Sequence, residues 1–434
     1  LPAEPAGRLG ALIQLRLGGL RLDERELLQL VALAEPLEAD LAGVAGLGRA
    51  AESLNRSGLV VTERSGRRLR LRLVYPLYSA VVLRALPELA GRRLRRQLAD
   101  VIEATGTRRH DDVPRMVGLR LAAGQTPSAE QLVTAAKAAL RAHDFDRAEE
   151  LASLALPQAR TQATATGARL VLGQALEDRG RHPEADRVLA EVPEPHQAGS
   201  AELTAVRAVN MAFGLGRLSE AVGVVERGLG ETRGPDRLPL HGARSLLGLL
   251  DDRFTEVVEA AATLDAGADR PAGLVTVPAA FASVELGDPA AALTRALLAP
   301  EAREQHRFVG AAAQWVGAYA TLHTTGVADA AARLGAMRWW DEGDPRERVR
   351  SRCCATRLHR ARGNRAAAVE ELRRAGAQEA SPDWLTTRPW LLAQLAAALA
   401  EADEHAEARP HSRRGAGPAG PGRVLPSGPR RCRA

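Results

Sequence analysis

The chain has 434 residues, 45% hydrophobic and 26% charged, which gives room for about three domains or one repeat array and excludes wholesale disorder. Aromatics make up only 3%, so the interior must be built from Leu, Ala and Val, a composition that suits close-packed helices. Three cysteines, Cys353, Cys354 and Cys432, with no C-x-x-C pair, exclude a disulfide framework and point to a reducing, cytoplasmic compartment.

The net charge of +6 divides unevenly. Residues 1–126 carry 20 Arg against 14 acids, residues 127–408 carry 32 basic against 39 acidic groups, and residues 409–434 carry seven Arg and no acid. The basic balance therefore sits at the two ends, and the overall pI is poor evidence for a nucleic-acid partner. Lys137 is the only lysine among the 59 basic residues, a bias that reflects GC-rich coding. Leu1 to Gly10 shows no secretory leader, and the start at Leu1 rather than Met reads as that of a fragment.

In chain order, helices are expected at 7–18, 23–34, 38–44 and 48–57. Gly58 to Arg64 then reads as a strand, Ser65-Gly66 as a tight turn, and Arg67 to Val74 as the partner strand. In that second strand Leu69, Leu71 and Leu73 alternate with Arg68, Arg70 and Arg72, the pattern of a half-buried strand with a basic outer face. Three helices and a two-stranded wing describe a winged-helix module over 1–75. Tyr75-Pro76-Leu77-Tyr78 opens a helical arm, broken near Pro87, over 76–126.

From 127 to 408 a self-similar pattern takes over. Each unit has a helix, a small or polar turn residue, and an Ala five positions later in a second helix, with Val257 in one unit. The pairs are His143/Ala148, Gly180/Ala185, Gly216/Ala221, Asp252/Val257, Gly287/Ala292, Gly326/Ala331, Gly363/Ala368 and Asp403/Ala408, at intervals of 37, 36, 36, 35, 39, 37 and 40 residues. Seven positions before the turn the residue is small in six of the eight units (Ala136, Gly173, Ser245, Ala280, Thr356 and Ala396), as a close crossing of two antiparallel helices requires; Val209 and Tyr319 depart from this. Sustained period-2 alternation is missing, so almost no strand is expected here. Within this region Phe308 to Ala328 is an uncharged run of 21 residues. Its Gly, Gln, His and Thr content argues for a packed helix and a turn rather than a membrane span. The final stretch, 409–434, has too little apolar surface to fold; a frameshifted end and a basic nucleic-acid-binding tail both fit its Arg/Gly/Pro composition.

The middle region resembles a tetratricopeptide-type solenoid, with Gly173, Gly180 and Ala185 matching that scheme best and the consensus aromatics mostly missing. The stretches Leu30 to Leu37, Ser57 to Val60, Leu73 to Tyr78 and Asp111 to Arg115, in that order, resemble the central part of LuxR-type ATP-binding regulators, a branch of the signal-transducing ATPases with numerous domains. Tyr75 departs from the family's usual pattern at its position. The resemblance implies a mainly α chain in which a winged-helix module precedes a tetratricopeptide-like sensor solenoid. Such a sensor takes a protein or small-molecule effector on its concave face and reaches DNA only indirectly, through a helix-turn-helix not contained in this chain. It also implies that the family's winged helix packs on an ATPase domain. A stand-alone protein-interaction scaffold is the alternative.

Catalytic chemistry finds no footing. A phosphate loop needs a lysine after a glycine-rich turn, and Lys137 sits mid-helix, so no cofactor is expected in this chain and ATP only in an upstream domain. Gly46-Leu-Gly48 and Gly415-Ala-Gly417-Pro-Ala-Gly420 lack the strand–turn–helix context of a dinucleotide site. No histidines stand at zinc spacing, Cys353-Cys354 with His359 reads as structural rather than nucleophilic, and no enzyme is expected. The remaining candidate contact is a basic face on the wing, Arg67, Arg68, Arg70 and Arg72, which could meet DNA phosphates or serve as an internal hinge. Arg92, Arg93, Arg95 and Arg96 add charge on the helix that follows.

Overall fold

The structure, a computed structural model, describes residues 8–65, 68–107, 109, 111–191, 199–265, 273–298, 307–336, 345–378, 387–406 and 408. The tail 409–434 and Arg67 lie outside them. The chain is mainly α and forms two compact units, Leu1–Ala139 and Leu140–Ala434.

The first unit opens with α1 (Arg8–Gly18), α2 (Leu22–Leu33), the short strand β1 (Leu37–Glu38), α3 (Ala39–Val44) and α4 (Gly48–Arg56). The hairpin β2 (Val60–Ser65) and β3 (Arg68–Leu73) follows. The sheet order is β1-β3-β2, antiparallel throughout, with Leu37 opposite Leu71 and Val60 opposite Leu73. The two-residue β1 carries no alternation of its own and exists because β3 offers it an edge. Leu71 and Leu73 are buried as the alternation requires, whereas Leu69, near the hairpin tip, is 41% exposed.

Then come α5 (Pro76–Ala85), α6 (Glu88–Ala104), α7 (Asp112–Ala122) and α8 (Ala129–Arg141). One hydrophobic core takes in Leu27, Leu30, Leu37, Leu54 and Leu71 together with Tyr78, Leu94, Ile102 and Met116. Helices α5 to α7 are thus packed into the same core as the strands rather than extended away from it.

The second unit consists of helix pairs. Its helices are α9 (Phe145–Ala155), α10 (Gln162–Asp178), α11 (His182–Ala190), α12 (Ser200–Val209), α13 (Leu218–Glu231), α14 (Leu238–Leu250) and α15 (Phe254–Asp265). They continue with α16 (Gly273–Glu285), α17 (Pro289–Leu298), α18 (Arg307–Thr324), α19 (Val327–Gly335), α20 (Pro345–Ala361), α21 (Arg365–Gln378) and α22 (Thr387–Glu401). Every even-numbered helix from α10 to α20 packs on the odd-numbered helix after it and on the next even-numbered helix. This is the contact pattern of stacked hairpins, with A helices (even) forming one layer and B helices (odd) the other. Among the described residues all three strands precede residue 74.

All eight predicted turn residues have positive φ: 60° at His143, 76° at Gly180, 68° at Gly216, 56° at Asp252, 84° at Gly287, 109° at Gly326, 74° at Gly363 and 64° at Asp403. A left-handed residue lets the next N–H reach back to a carbonyl that the helix leaves unpaired. Arg181 donates to Leu176, Arg253 to Gly248, Asp288 to Ser283, Asn364 to His359 and Glu404 to Leu399, each five residues back.

Two units depart from the expected register. At the end of α18 it is Gly326 itself that makes the five-back bond, to Thr321 at 3.1 Å, so the hydrogen-bond register is counted from Thr325 while the positive φ stays at Gly326. The buried small residue is accordingly Ala330, fully inaccessible, and not Ala331; the crossing residue is Ala318 at 4% and not Tyr319. In the α12 unit a π-helical turn, Asn210–Gly214, inserts one extra residue before Gly216. The crossing residue there moves from Val209 to Ala208, which is fully buried. Both departures from the small-residue rule therefore come from one-residue shifts of register, not from bulky crossings. The unit is tetratricopeptide-like.

Candidate interaction surface

The wing arginines are distributed unevenly. Arg67 lies outside the described residues, and Arg68 begins β3 opposite Ser65. Arg70 is half-buried and stands in register with Glu63 on one side and Glu38 on the other. Arg72 ion-pairs with Glu63 at 3.4 Å and with Glu35 at 3.7 Å. Acids of the same sheet and of the α2–β1 connection thus meet Arg72. Farther along, Arg92 pairs with Glu88 at 2.9 Å, Arg93 with Glu26 at 3.1 Å, and Arg96 donates to the carbonyl of Ala123 at 3.3 Å.

Glu35 is built into this junction. Its carboxylate accepts from the Leu73 N–H at 3.1 Å and from the Ser79 hydroxyl at 2.8 Å. Next to it Arg115 donates to the carbonyls of Ala34 (2.6 Å) and Pro36 (3.3 Å). Burial lowers the Arg115 pKa, and Asp111 and Asp112 work against that shift.

The second unit presents a different surface, which the sequence reading did not pick out. An A-helix residue seven positions before the turn faces its own B helix. The next residue is rotated by about 100°, away from that crossing. Counting six back from the turn gives Gln174, Leu246, Phe281, Tyr319, Arg357 and Ala397; in α12 the π turn makes the equivalent Val209. All are half-buried except Tyr319, which is 6% exposed.

Around the last three of these the chain gathers scarce aromatic groups. Phe281 meets Trp315 edge-on at 5.9 Å, Tyr319 meets His323 edge-on at 4.9 Å, and the Arg357 guanidinium lies 4.0 Å above the Tyr319 ring. Cys354 packs its sulfur 4.0 Å from the carbonyl of Trp315, while Cys353 is buried against α21 and α22. Glu285, one turn beyond Phe281, keeps a buried oxygen without a hydrogen-bond partner, and the Trp315 indole N–H is buried and unpaired too.

Burial raises the Glu285 pKa, with Arg357 opposing and Asp252 reinforcing the shift. Burial likewise raises that of Tyr319 and lowers that of His323, the latter assisted by the charge of Arg357. Arg357 also hydrogen-bonds Tyr319 and faces the carboxyl group of Glu285. Five other A-helix arginines differ: Arg169 pairs with Glu191, Arg207 with Asp186, Arg244 with Glu226, Arg352 with Glu371 and Arg360 with Glu401.

Among the described residues no three His, Cys, Asp or Glu side chains converge as a metal site, and no helix is long and apolar enough to cross a membrane. Lys137 is exposed on α8, and Gly46, at φ 76°, forms the α3–α4 turn.

No family model matches the chain, and no curated protein matches it. Solved structures of similar architecture include a signal transduction ATPase with numerous domains and a tetratricopeptide-repeat sensor from Pyrococcus horikoshii. It is 13% identical with a TM-score of 0.48, over 95% of this chain and 65% of that one. A tetratricopeptide-repeat protein from Parabacteroides merdae is 12% identical with a TM-score of 0.40, over 62% of this chain and 98% of that one. Human IFIT1 in a dimer is 10% identical with a TM-score of 0.45, over 92% and 95%. This chain thus spans about two thirds of the length of the Pyrococcus protein. All three scores lie below 0.5, so the description of the repeat rests on the turns and crossings of this chain itself.

Proposed function

We propose that this chain is a binding module, a helical-repeat scaffold that holds a protein partner on the uncovered face of its A helices. The observation that carries the reading is the row Leu246, Phe281 and Arg357, half-buried, with the buried Tyr319 between the last two, on four successive A helices. Repeat hairpins supply a continuous surface and no built-in reaction, and nothing in this row forms a nucleophile–base pair. The experiment is selection of a random peptide library on the full chain, followed by hydrogen exchange of the chain with a selected peptide bound. Protection in α14, α16, α18 and α20 is the expected outcome. Protection confined to B helices, or a library from which nothing is enriched, would contradict the reading.

A second reading is favoured by a separate observation: the chain is the sensor and arm of a LuxR-type regulator. The order helix, short strand, helix, helix, strand, strand over 22–73, with sheet order β1-β3-β2, supports a winged-helix module there. Three of the four stretches that carry the family resemblance also meet at one place, since Glu35 binds Leu73 and Arg115 binds Ala34 and Pro36. In this reading residues 1–75 form the module, 76–126 the arm and 127–408 the sensor. Arg67, Arg68, Arg70 and Arg72 then meet DNA or a neighbouring domain, and the effector sits on the A-helix face of a cytoplasmic protein. The coding sequence on either side of the chain tests it: a phosphate loop upstream and a helix-turn-helix downstream would support the regulator, and neither being there would count against it.

A further inference from the structure

Two arginines occupy the same place in consecutive hairpins. Counted eight residues beyond the turn, with the α18 register taken from Thr325, the B helices present Val188, Val224, Ala260, Arg295, Arg333 and Glu371, all half-buried. The first three are apolar, and Glu371 is met by Arg352 at 2.7 Å and by Arg374 at 3.5 Å. Arg295 and Arg333 differ from all of these: among the described residues neither has a carboxylate partner. Arg295 donates to the hydroxyl of the buried Ser283 on α16 at 2.8 Å. Arg333 keeps a shielded Nε with no partner, and burial lowers its pKa with no neighbouring charge contributing.

Both guanidinium groups are nevertheless held. A Cβ built on Gly317 of α18 would sit 2.9 Å from Nη2 and 3.0 Å from Nε of Arg333. A residue that is unfavourable inside a helix thus leaves the space that the guanidinium fills. Since α16 and α18 pack on each other and packed helix axes lie about 8–10 Å apart, the two cations stand on the order of 10 Å apart on one side of the array. A partly desolvated cation without a counter-charge is unfavourable, and an incoming oxyanion relieves that cost through charge-assisted hydrogen bonds.

We propose that Arg295 and Arg333 form a two-point oxyanion site on the B-helix side of the hairpins α16–α17 and α18–α19, taking a ligand whose phosphate or carboxylate groups reach both guanidinium groups at once. The site is separate from the A-helix row and does not depend on it.

The test treats the full chain with p-hydroxyphenylglyoxal, which attacks guanidinium groups, at physiological salt, and locates the modified arginines by mass spectrometry. Inorganic tripolyphosphate should slow the modification of Arg295 and Arg333 together by about tenfold, and inorganic phosphate, too short to bridge them, by much less. The exposed Arg160 should react at an unchanged rate. Tricarballylate in place of tripolyphosphate separates the two sources of the oxyanion: equal protection assigns the site to carboxylates, weaker protection to phosphates. Arg333→Gln should abolish the protection of Arg295, and Arg295→Gln that of Arg333, while Arg160→Gln should change neither; melting curves establish that each variant is folded. Protection of one arginine that survives loss of the other, or protection no greater than that of Arg160, would overturn the proposal. So would a reagent that reaches neither arginine in the folded chain but both in urea.

Discussion

A Cβ built on Gly173 would sit 2.5 Å from Cδ2 and Cγ of Leu189, so the A helix α10 and the B helix α11 cross with the leucine occupying the space a side chain would take. Leu189 is itself fully buried and cannot swing out without opening the hairpin.

Gly173→Leu should therefore destabilise the chain by on the order of 1–3 kcal/mol or more, as overpacking does. Because each pair touches only its neighbours, hydrogen exchange should rise over 162–190 and much less in α20 to α22. Uniform deprotection of the whole array would show that the units are not quasi-independent.

The π turn of α12 makes room for a polar contact inside the same array. His182 Nδ1 lies 2.8 Å from Asn210 Oδ1, Asn210 Nδ2 donates to the His182 carbonyl at 3.0 Å, and Asn210 is fully buried. The imidazole lies where a Gly214 side chain would go. Asn210→Ala should cost about 1–3 kcal/mol, the penalty for stranding buried polar groups, and Gly214→Ala should be comparably harmful by displacing the ring. A double-mutant cycle of Asn210→Ala with His182→Ala that showed no coupling would disprove this link.

Glu285 predicts a pH effect of defined sign. Its folded pKa lies above the ordinary 4.5 because of burial, so between 4.5 and the raised value the folded chain binds more protons than the unfolded one. This contribution to stability falls as pH rises through that window. Glu285→Gln should raise the melting temperature at pH 7, and the gain should vanish below pH 4.5. A variant equally destabilised at both pH values would mean that the carboxylate is satisfied in the fold.

At the N-terminal junction the acid should matter more than the base. Glu35→Ala leaves the Leu73 N–H and the Ser79 hydroxyl without their acceptor and should cost about 1–3 kcal/mol. Arg72→Ala removes a half-exposed ion pair and should cost about 0–1 kcal/mol. Denaturant melts giving the reverse order would contradict the assignment of Glu35 as the anchor.

Much of this architecture was legible from spacing alone. Turn residues announce themselves chemically, because a positive φ favours Gly or a polar residue, and all eight expected positions have one, although at the end of α18 the hydrogen bonding runs one residue earlier. Register was not legible where backbone hydrogen bonding shifted it. The extra residue of the π turn made Val209 look like a bulky crossing, and the capping role of Gly326 did the same for Tyr319. That second shift also hid the candidate surface, since Tyr319 falls into line with Phe281 and Arg357 only when the turn is counted from Thr325. The strand β1 was invisible because two residues, Leu37 and Glu38, carry no period. The partners of the wing were illegible for another reason: strand alternation gives a side chain's face but not the acids, Glu35 and Glu63, that come from elsewhere to meet Arg72.

The measurement that bears most directly on the central claim compares two apolar truncations on opposite layers of the array. Phe281 belongs to the A-helix row, and Leu297, 53% exposed, lies on the B helix α17. Affinity for a library-selected peptide, measured well below the melting temperature of each variant, should fall about tenfold or more in Phe281→Ala and should stay at the parent value in Leu297→Ala. Equal affinities in the two variants, or loss only in Leu297→Ala, would contradict a binding surface on the A helices.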